Sequence, residues 1–276
     1  MTIEKRDARV AIKISGPDAT HLLQDVLTPT IAEDEKARWY GLLAPQGKIL
    51  AEGLIGWAEG AYWLDVDAAA AENFFKRMKM YRLRAKMEIE PLGESHSVGW
   101  SAERPTDGIV HEDVRAGGLG FRVIAPTADT EAWRDGTGQA EARIAAGIAE
   151  MGADFAPDEV FPHDIGMDHL EGVDFKKGCY VGQEVVSRMQ HRGTARRRPV
   201  IVSGIADGAR GDSIIIDGKT VGALGGVVAG HAVAMVRIDK VSDPQAARVH
   251  ETPVSLALPG WARYGFAAPG GDSEDD

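Results

Sequence analysis

The sequence predicts an α+β protein that ends in an all-β unit. Strand-like and helix-like apolar patterns alternate through the first part of the chain. Between Glu88 and Ala125 the texture turns to short, glycine-broken strands followed by more helical sequence, and after Arg198 only short apolar runs punctuated by turn residues remain. At 276 residues, 44% hydrophobic and 26% charged, the chain is long enough for two or three domains with cores of their own.

The elements follow in order. R-V-A-I-K-I-S alternates Val10, Ile12 and Ile14 with Arg9, Ala11 and Lys13, as a half-buried strand does. Ser15, Pro17 and Asp18 then open a helix with His21, Leu22, Leu23, Val26 and Leu27 as its apolar stripe. Two apolar runs around Pro45-Gln46-Gly47-Lys48 read as a hairpin. A strand from Tyr62 to Val66 leads through Asp67 into a helix reaching about Arg84, with Phe74, Phe75, Met78 and Tyr81 on one side and Lys76, Arg77, Lys79 and Arg82 on the other. A-E-A-R-I-A-A-G-I-A-E-M-G is helical, and a further helix runs from Gly182 toward His191. Apolar runs at 200–202, 213–216, 221–224, 227–228, 232–238 and 254–258 predict a small β-barrel or sandwich. Asp217-Gly218 reads as a hairpin turn rather than a phosphate loop, because the glycine that such a loop needs five residues earlier is Ser213. The terminal P-G-G-D-S-E-D-D reads as an acidic mobile tail.

Composition narrows the function classes. One cysteine cannot form an intramolecular disulfide, so a reducing compartment, the cytoplasm, is the expectation. No stretch reaches the roughly 18 to 20 apolar residues of a spanning helix, and no membrane role is expected. A net charge of -11 argues against broad nucleic-acid binding.

That single thiol lies in F-K-K-G-C-Y-V-G-Q-E, Phe175 to Glu184. Lys176, Lys177 and the following helix N-terminus favour thiolate, which makes Cys179 a candidate reactive group; an isolated cysteine is also a common small core residue, and the spacing leaves both readings open. Gly178 and Gly182 allow close backbone approach, Tyr180 offers a stacking face, and Gln183 and Glu184 add donors and acceptors. Downstream, Arg192, Arg196, Arg197 and Arg198 form a basic segment suited either to a polyanion or to ion pairs with the many carboxylates. His163, Asp164, Asp168 and His169 match no metal-site spacing, and no metal is expected.

The stretch K-K-G-C-Y-V-G-Q-E-V-V-S-R resembles the signature of the YgfZ family of folate-binding proteins, relatives of the aminomethyltransferase T-protein of the glycine cleavage system. I-S-G-P-D-A-T-H-L-L-Q-D-V-L-T, P-Q-G-K, Y-R-L-R at Tyr81 to Arg84, A-R-I-A-A-G-I at Ala142 to Ile148 and R-G-T-A-R-R-R agree in order, so the resemblance covers about residues 5 to 265. It implies a T-protein-like α+β fold. Two intertwined α+β domains, residues 1–45 with 140–195 and residues 46–139, would surround a channel for tetrahydrofolate, with a β-barrel at 196–265 and a tail at 266–276. Lys177, Gly178, Cys179, Tyr180, Gly182, Gln183 and Glu184 would line that channel, Cys179 as a reactive or partner-facing thiol. The implied role is that of an accessory factor for iron-sulfur cluster assembly or maintenance, serving enzymes that include tRNA-modifying ones. Its partners would be folate and iron-sulfur or cluster-assembly proteins, with no direct nucleic-acid contact.

Two rivals remain. One is folate-dependent aminomethyl transfer, against which Ala51 and Glu52 stand where the transferase pattern has paired aspartates. The other is an RNA or protein adaptor that uses the basic segment 176–198.

Overall fold

The computed structural model describes residues 2–193 and 195–267. The expected tail falls mostly on 268–276, which lie outside the described residues. In chain order the elements are β1 (Glu4–Lys5), β2 (Arg9–Ser15), α1 (Ala19–Val26), β3 (Arg38–Leu43), β4 (Ile49–Ala58), β5 (Ala61–Asp67), α2 (Ala68–Arg82), β6 (Glu88–Pro91), β7 (His96–Ser101), β8 (Ile109–Glu112), β9 (Phe121–Pro126), α3 (Gly138–Ala145) and α4 (Gln183–Arg192). The last third adds β10 (Arg197–Ser203), β11 (Ser213–Ile216), β12 (Lys219–Leu224), β13 (His231–Arg237), β14 (Arg248–Val249), β15 (Thr252–Pro253) and β16 (Ser255–Ala257).

Three antiparallel sheets result. The first has the order β3-β4-β5-β2-β6. Its strands are apolar enough to be covered, and α2 packs Ala70, Ala71, Phe74 and Met78 into the adjoining core. The Asp67 carboxylate ends β5 and caps α2 by accepting from the Ala69 N–H at 3.0 Å. α1 buries Leu23 and Val26, while His21 of the expected stripe is exposed. Asp18 does not cap its own helix; its carboxylate accepts from the Lys86 N–H at 2.6 Å, and its N–H donates to the Lys86 carbonyl at 3.3 Å. The N-terminal end of α1 is thereby tied to the segment after α2.

The second sheet, β1-β7-β9-β8, meets the first through Trp63, Leu92, Val98, Ile109 and Ile124. The third, β15-β14-β11-β12-β13-β10-β16, begins and ends with strands that only Val254 separates in sequence, so it curls into a nearly closed barrel around Val200, Ile214, Val236, Val249 and Leu256. The α+β class and the C-terminal barrel therefore stand as the sequence predicts. The expected division at residue 45 does not follow the sheets, because it falls in the turn joining β3 to β4. Those two strands pair from Arg38↔Ile55 to Leu43↔Ile49, and a hairpin ladder keeps both in one sheet.

Candidate ligand cleft and thiol turn

The signature segment is built around Asp174. One carboxylate oxygen accepts from the N–H groups of Lys176 at 2.7 Å and Lys177 at 3.2 Å, and the other accepts from the Thr30 hydroxyl. This turn sends successive side chains different ways. Phe175 and Lys176 line a cleft. The Lys177 ammonium uses all three of its donors on carbonyls at the C-terminal end of α1 and just beyond, those of Gln24 at 2.6 Å, Pro29 at 2.9 Å and Leu27. Burial lowers its pKa to about 8, opposed by Asp174 and Asp25. The same ammonium lies 5.0 Å from the centre of the buried Tyr180 ring, whose pKa burial raises and whose hydroxyl has no partner among the described residues. Cys179 is exposed, which excludes the core reading.

Gly182 opens α4 with a left-handed backbone and packs on the Pro45-Gln46-Gly47-Lys48 turn. The Gln183 N–H donates to the Tyr180 carbonyl at 3.2 Å, and Glu184 is exposed in the first turn of α4. Nothing lies within 4 Å of a Cβ placed on Gly178, so close approach does not explain that glycine.

The cleft encloses about 840 Å³, in the range of small-molecule sites. Phe175 and Trp261 give it aromatic surface over the buried Trp39, and its charges are mixed: Lys36 pairs with Glu171 and Arg38 with Asp34, while Lys176 is exposed beside Asp174. Leu54 and Arg115 also line a chamber of about 30 Å³, which makes the two spaces neighbours. The chamber is walled by charge. Arg9 donates to Asp65 at 2.7 Å and to Glu52 at 3.1 Å, and Glu52 also accepts from the Trp39 indole at 2.7 Å and the Met151 N–H at 3.1 Å. Asp65 contacts Arg122 as well, and Arg115 forks onto Asp113 at 2.6 and 2.8 Å while lying 5.0 Å from the Trp39 ring. Burial and neighbouring Arg9 pull the Arg122 pKa down, whereas the touching Asp65 carboxylate favours its charge. Burial works against ionised Glu150, yet Arg6 at 2.6 Å, with Arg143 and Arg9, holds its pKa well below the usual carboxylate range.

The chain after the barrel reaches the cleft through Trp261, and the barrel itself anchors the neighbouring segment. Arg198 on β10 is buried, donates to the His163 carbonyl at 2.8 Å and Asp168 at 2.7 Å, and lies 5.3 Å from the Tyr264 ring. His169, 3.4 Å from Asp168, packs edge-on against Tyr264 and faces the cleft with Trp261.

Residues 196–264 match the CAF17 C-terminal beta-barrel domain. The chain is also similar to iron-sulfur cluster assembly factor IBA57 homologs, named mitochondrial. With that of Pyricularia oryzae it shares 33% identity over 69% of this chain and 54% of that protein. With that of Chaetomium globosum it shares 31% over 78% and 59%. The chain thus spans little more than half the length of these relatives. The solved aminomethyltransferase T of the Bartonella henselae glycine cleavage system has the same fold, with a TM-score of 0.73 at 14% identity over 96% of this chain and 87% of that one. The resemblance read from the motifs therefore holds at the level of the CAF17 barrel and the T-protein fold, and the two relatives just described are IBA57 homologs.

These relatives overturn the cytoplasmic expectation, since they are mitochondrial proteins. A low cysteine count speaks to redox poise and does not distinguish one reducing compartment from another.

Beside the CAF17-type barrel, the basic segment is not one patch. Arg192 is exposed at the end of α4, Arg196 lies 3.9 Å from Asp239, and Arg197 lies 3.8 Å from Glu159. Arg198 is withdrawn from solvent by its pairing with Asp168, which corrects its reading as a polyanion contact. No group of three or more His, Cys, Asp or Glu side chains suited to a metal occurs among the described residues. Arg9, Asp65, Arg115 and Arg122 belong to no motif in the sequence. A signal existed, since Arg9 and Asp65 are charged residues in strands otherwise rich in apolar side chains.

Proposed function

We propose that this chain is a folate-binding accessory protein of iron-sulfur cluster assembly, holding a tetrahydrofolate-type ligand in the cleft and offering Cys179 to a cluster-bearing partner. The observation that carries the reading is the divided segment from Asp174 to Tyr180, which places Phe175 and Lys176 on the cleft and Cys179, three residues on, in solvent. An occupied cleft and a presented thiol then share one short turn. The lining suits such a ligand: a cleft of about 840 Å³ takes its size, the half-buried Phe175 and Trp261 suit its flat rings, and the exposed Lys176 suits a carboxylate. The ligand would supply one-carbon chemistry when bound. The residues nearest the chamber favour an accessory role over aminomethyl transfer, because both oxygens of Glu52 are already engaged and Ala51 carries no acid. The names of the IBA57 relatives support the cluster-assembly part of the reading.

The test is an anaerobic calorimetric titration of the protein with tetrahydrofolate. Saturable one-site binding, weakened in Lys176→Ala, is expected; absence of heat together with absence of thermal stabilisation would discard the folate part. For the thiol, cells carrying only Cys179→Ala should lose iron-sulfur enzyme activity while the protein remains folded. Undiminished activity would remove Cys179 from the mechanism.

A further inference from the structure

α2 is amphipathic in an ordinary way along most of its length, with Phe74 and Met78 buried in the core. Its last turn departs from that pattern. Met80 is 56% exposed and Leu83 88%; the only other exposed large apolar side chain among the described residues is Val114, which lines the cleft. Leu83 follows the helix with φ +43°, a left-handed value that a branched-chain residue adopts only at a cost. Lys79, Arg82, Arg84 and Lys86 flank these two apolar residues along the chain, all exposed and none in an ion pair among the described residues. In a chain of net charge -11, these four cations outnumber the one carboxylate shown beside them, that of Asp18 on the Lys86 N–H, which leaves a positive rim at an apolar centre.

An apolar centre within a charged rim is the anatomy of a protein interface. A membrane fits less well, since the apolar face of α2 is already used against the protein and only two side chains remain. A nucleic acid fits less well, since no exposed aromatic ring at the tip offers a stacking face and cations alone would not call for Leu83.

We propose that the C-terminal tip of α2 docks an acidic protein partner, with Leu83 and Met80 entering an apolar pocket and Lys79, Arg82, Arg84 and Lys86 meeting the carboxylates around it. This surface is separate from the cleft, and the proposal does not depend on folate.

The test uses the full chain and a fluorescein-labelled peptide about four helical turns long, glutamate throughout except for leucines along one face. Fluorescence anisotropy should show saturable binding that weakens as salt rises. Lys79→Glu/Arg82→Glu/Arg84→Glu should weaken it about tenfold and Leu83→Ser about fivefold. Polyglutamate without leucine should bind less tightly, and phosphatidylserine vesicles and single-stranded RNA should not compete. The corresponding glutamine triple variant, which introduces no repulsion, keeps the test valid if the charge reversal unfolds the protein. Peptide binding that is absent, or unchanged in both Leu83→Ser and the charge variants, would overturn the proposal, as would vesicles or RNA that displace the peptide.

Discussion

Gly182 lies against Gly47: a Cβ added to Gly182 would stand 3.2 Å from the Gly47 Cα and 2.6 Å from the Ala44 carbonyl oxygen. Both glycines have left-handed backbone, φ +81° and +83°, so the turn of the first-sheet hairpin and the turn leading from the thiol into α4 close on each other with no side chain between them. Gly182→Ala meets both a backbone clash and a strained φ, and is expected to cost about 3 kcal/mol. Gly193→Ala, at φ +60° with nothing within 4 Å, should cost about 1 kcal/mol. Urea midpoints of the two variants decide the matter, and equal losses would mean that the hairpin contact contributes nothing.

The chamber charges are expected to hold or fail together. Arg9→Met leaves the buried Asp65 and Glu52 each short of a partner, and removing one member of such a group typically costs about 3 to 5 kcal/mol. Because Arg9 bridges β2 to β4 and β5, the loss should appear as global destabilisation in denaturant. A loss below about 1 kcal/mol would show that the remaining arginines take over its role.

Lys177→Met removes three donors from carbonyls around the end of α1. A destabilisation of about 2 kcal/mol is expected, with faster amide exchange in α1 and the Asp174 turn than in the barrel. Uniform exchange changes across the molecule would contradict that local role.

His163 gives a pH dependence of known sign. Burial lowers its pKa, with Asp168 and the Gln190 side chain at 3.0 Å opposing, and its Nδ1 has no partner among the described residues. The folded protein therefore binds its proton less readily than the unfolded chain, whose histidine titrates near about 6.5. Stability from this group is intact above that pH and falls as pH drops toward the folded value, by at most about 1.4 kcal/mol per pH unit. The difference in urea midpoint between wild type and His163→Gln, followed from about pH 7.5 to 5, should narrow on acidification. Buried Asp154 and Asp164, whose raised pKa values act in the opposite sense, cancel in that difference. A constant difference would mean that His163 stays neutral or charged throughout.

Local pattern carried far in this sequence where it reports on neighbours along the chain. The alternation in β2, the Asp67 cap of α2 and the Asp217-Gly218 turn between β11 and β12 are all decided within a few residues. The hairpin at Pro45 was equally legible, but which sheet it joins was not, because that depends on pairing with strands read separately. The motif marked the thiol turn, and nothing local could show that Lys177 turns inward to α1 or that Arg198 is buried on Asp168. Those partners lie 153 and 30 residues away. The chamber leaves no local pattern for the same reason, since Arg9, Glu52, Asp65 and Arg122 converge only after two sheets have packed.

α1 is pinned at both ends, to Lys86 through Asp18 and to Lys177 through its terminal carbonyls. An eight-residue helix is about 12 Å long and stiff over that distance. It therefore works as a spacer: the segment at Lys86 and the turn that bears Cys179 are held a fixed helix length apart.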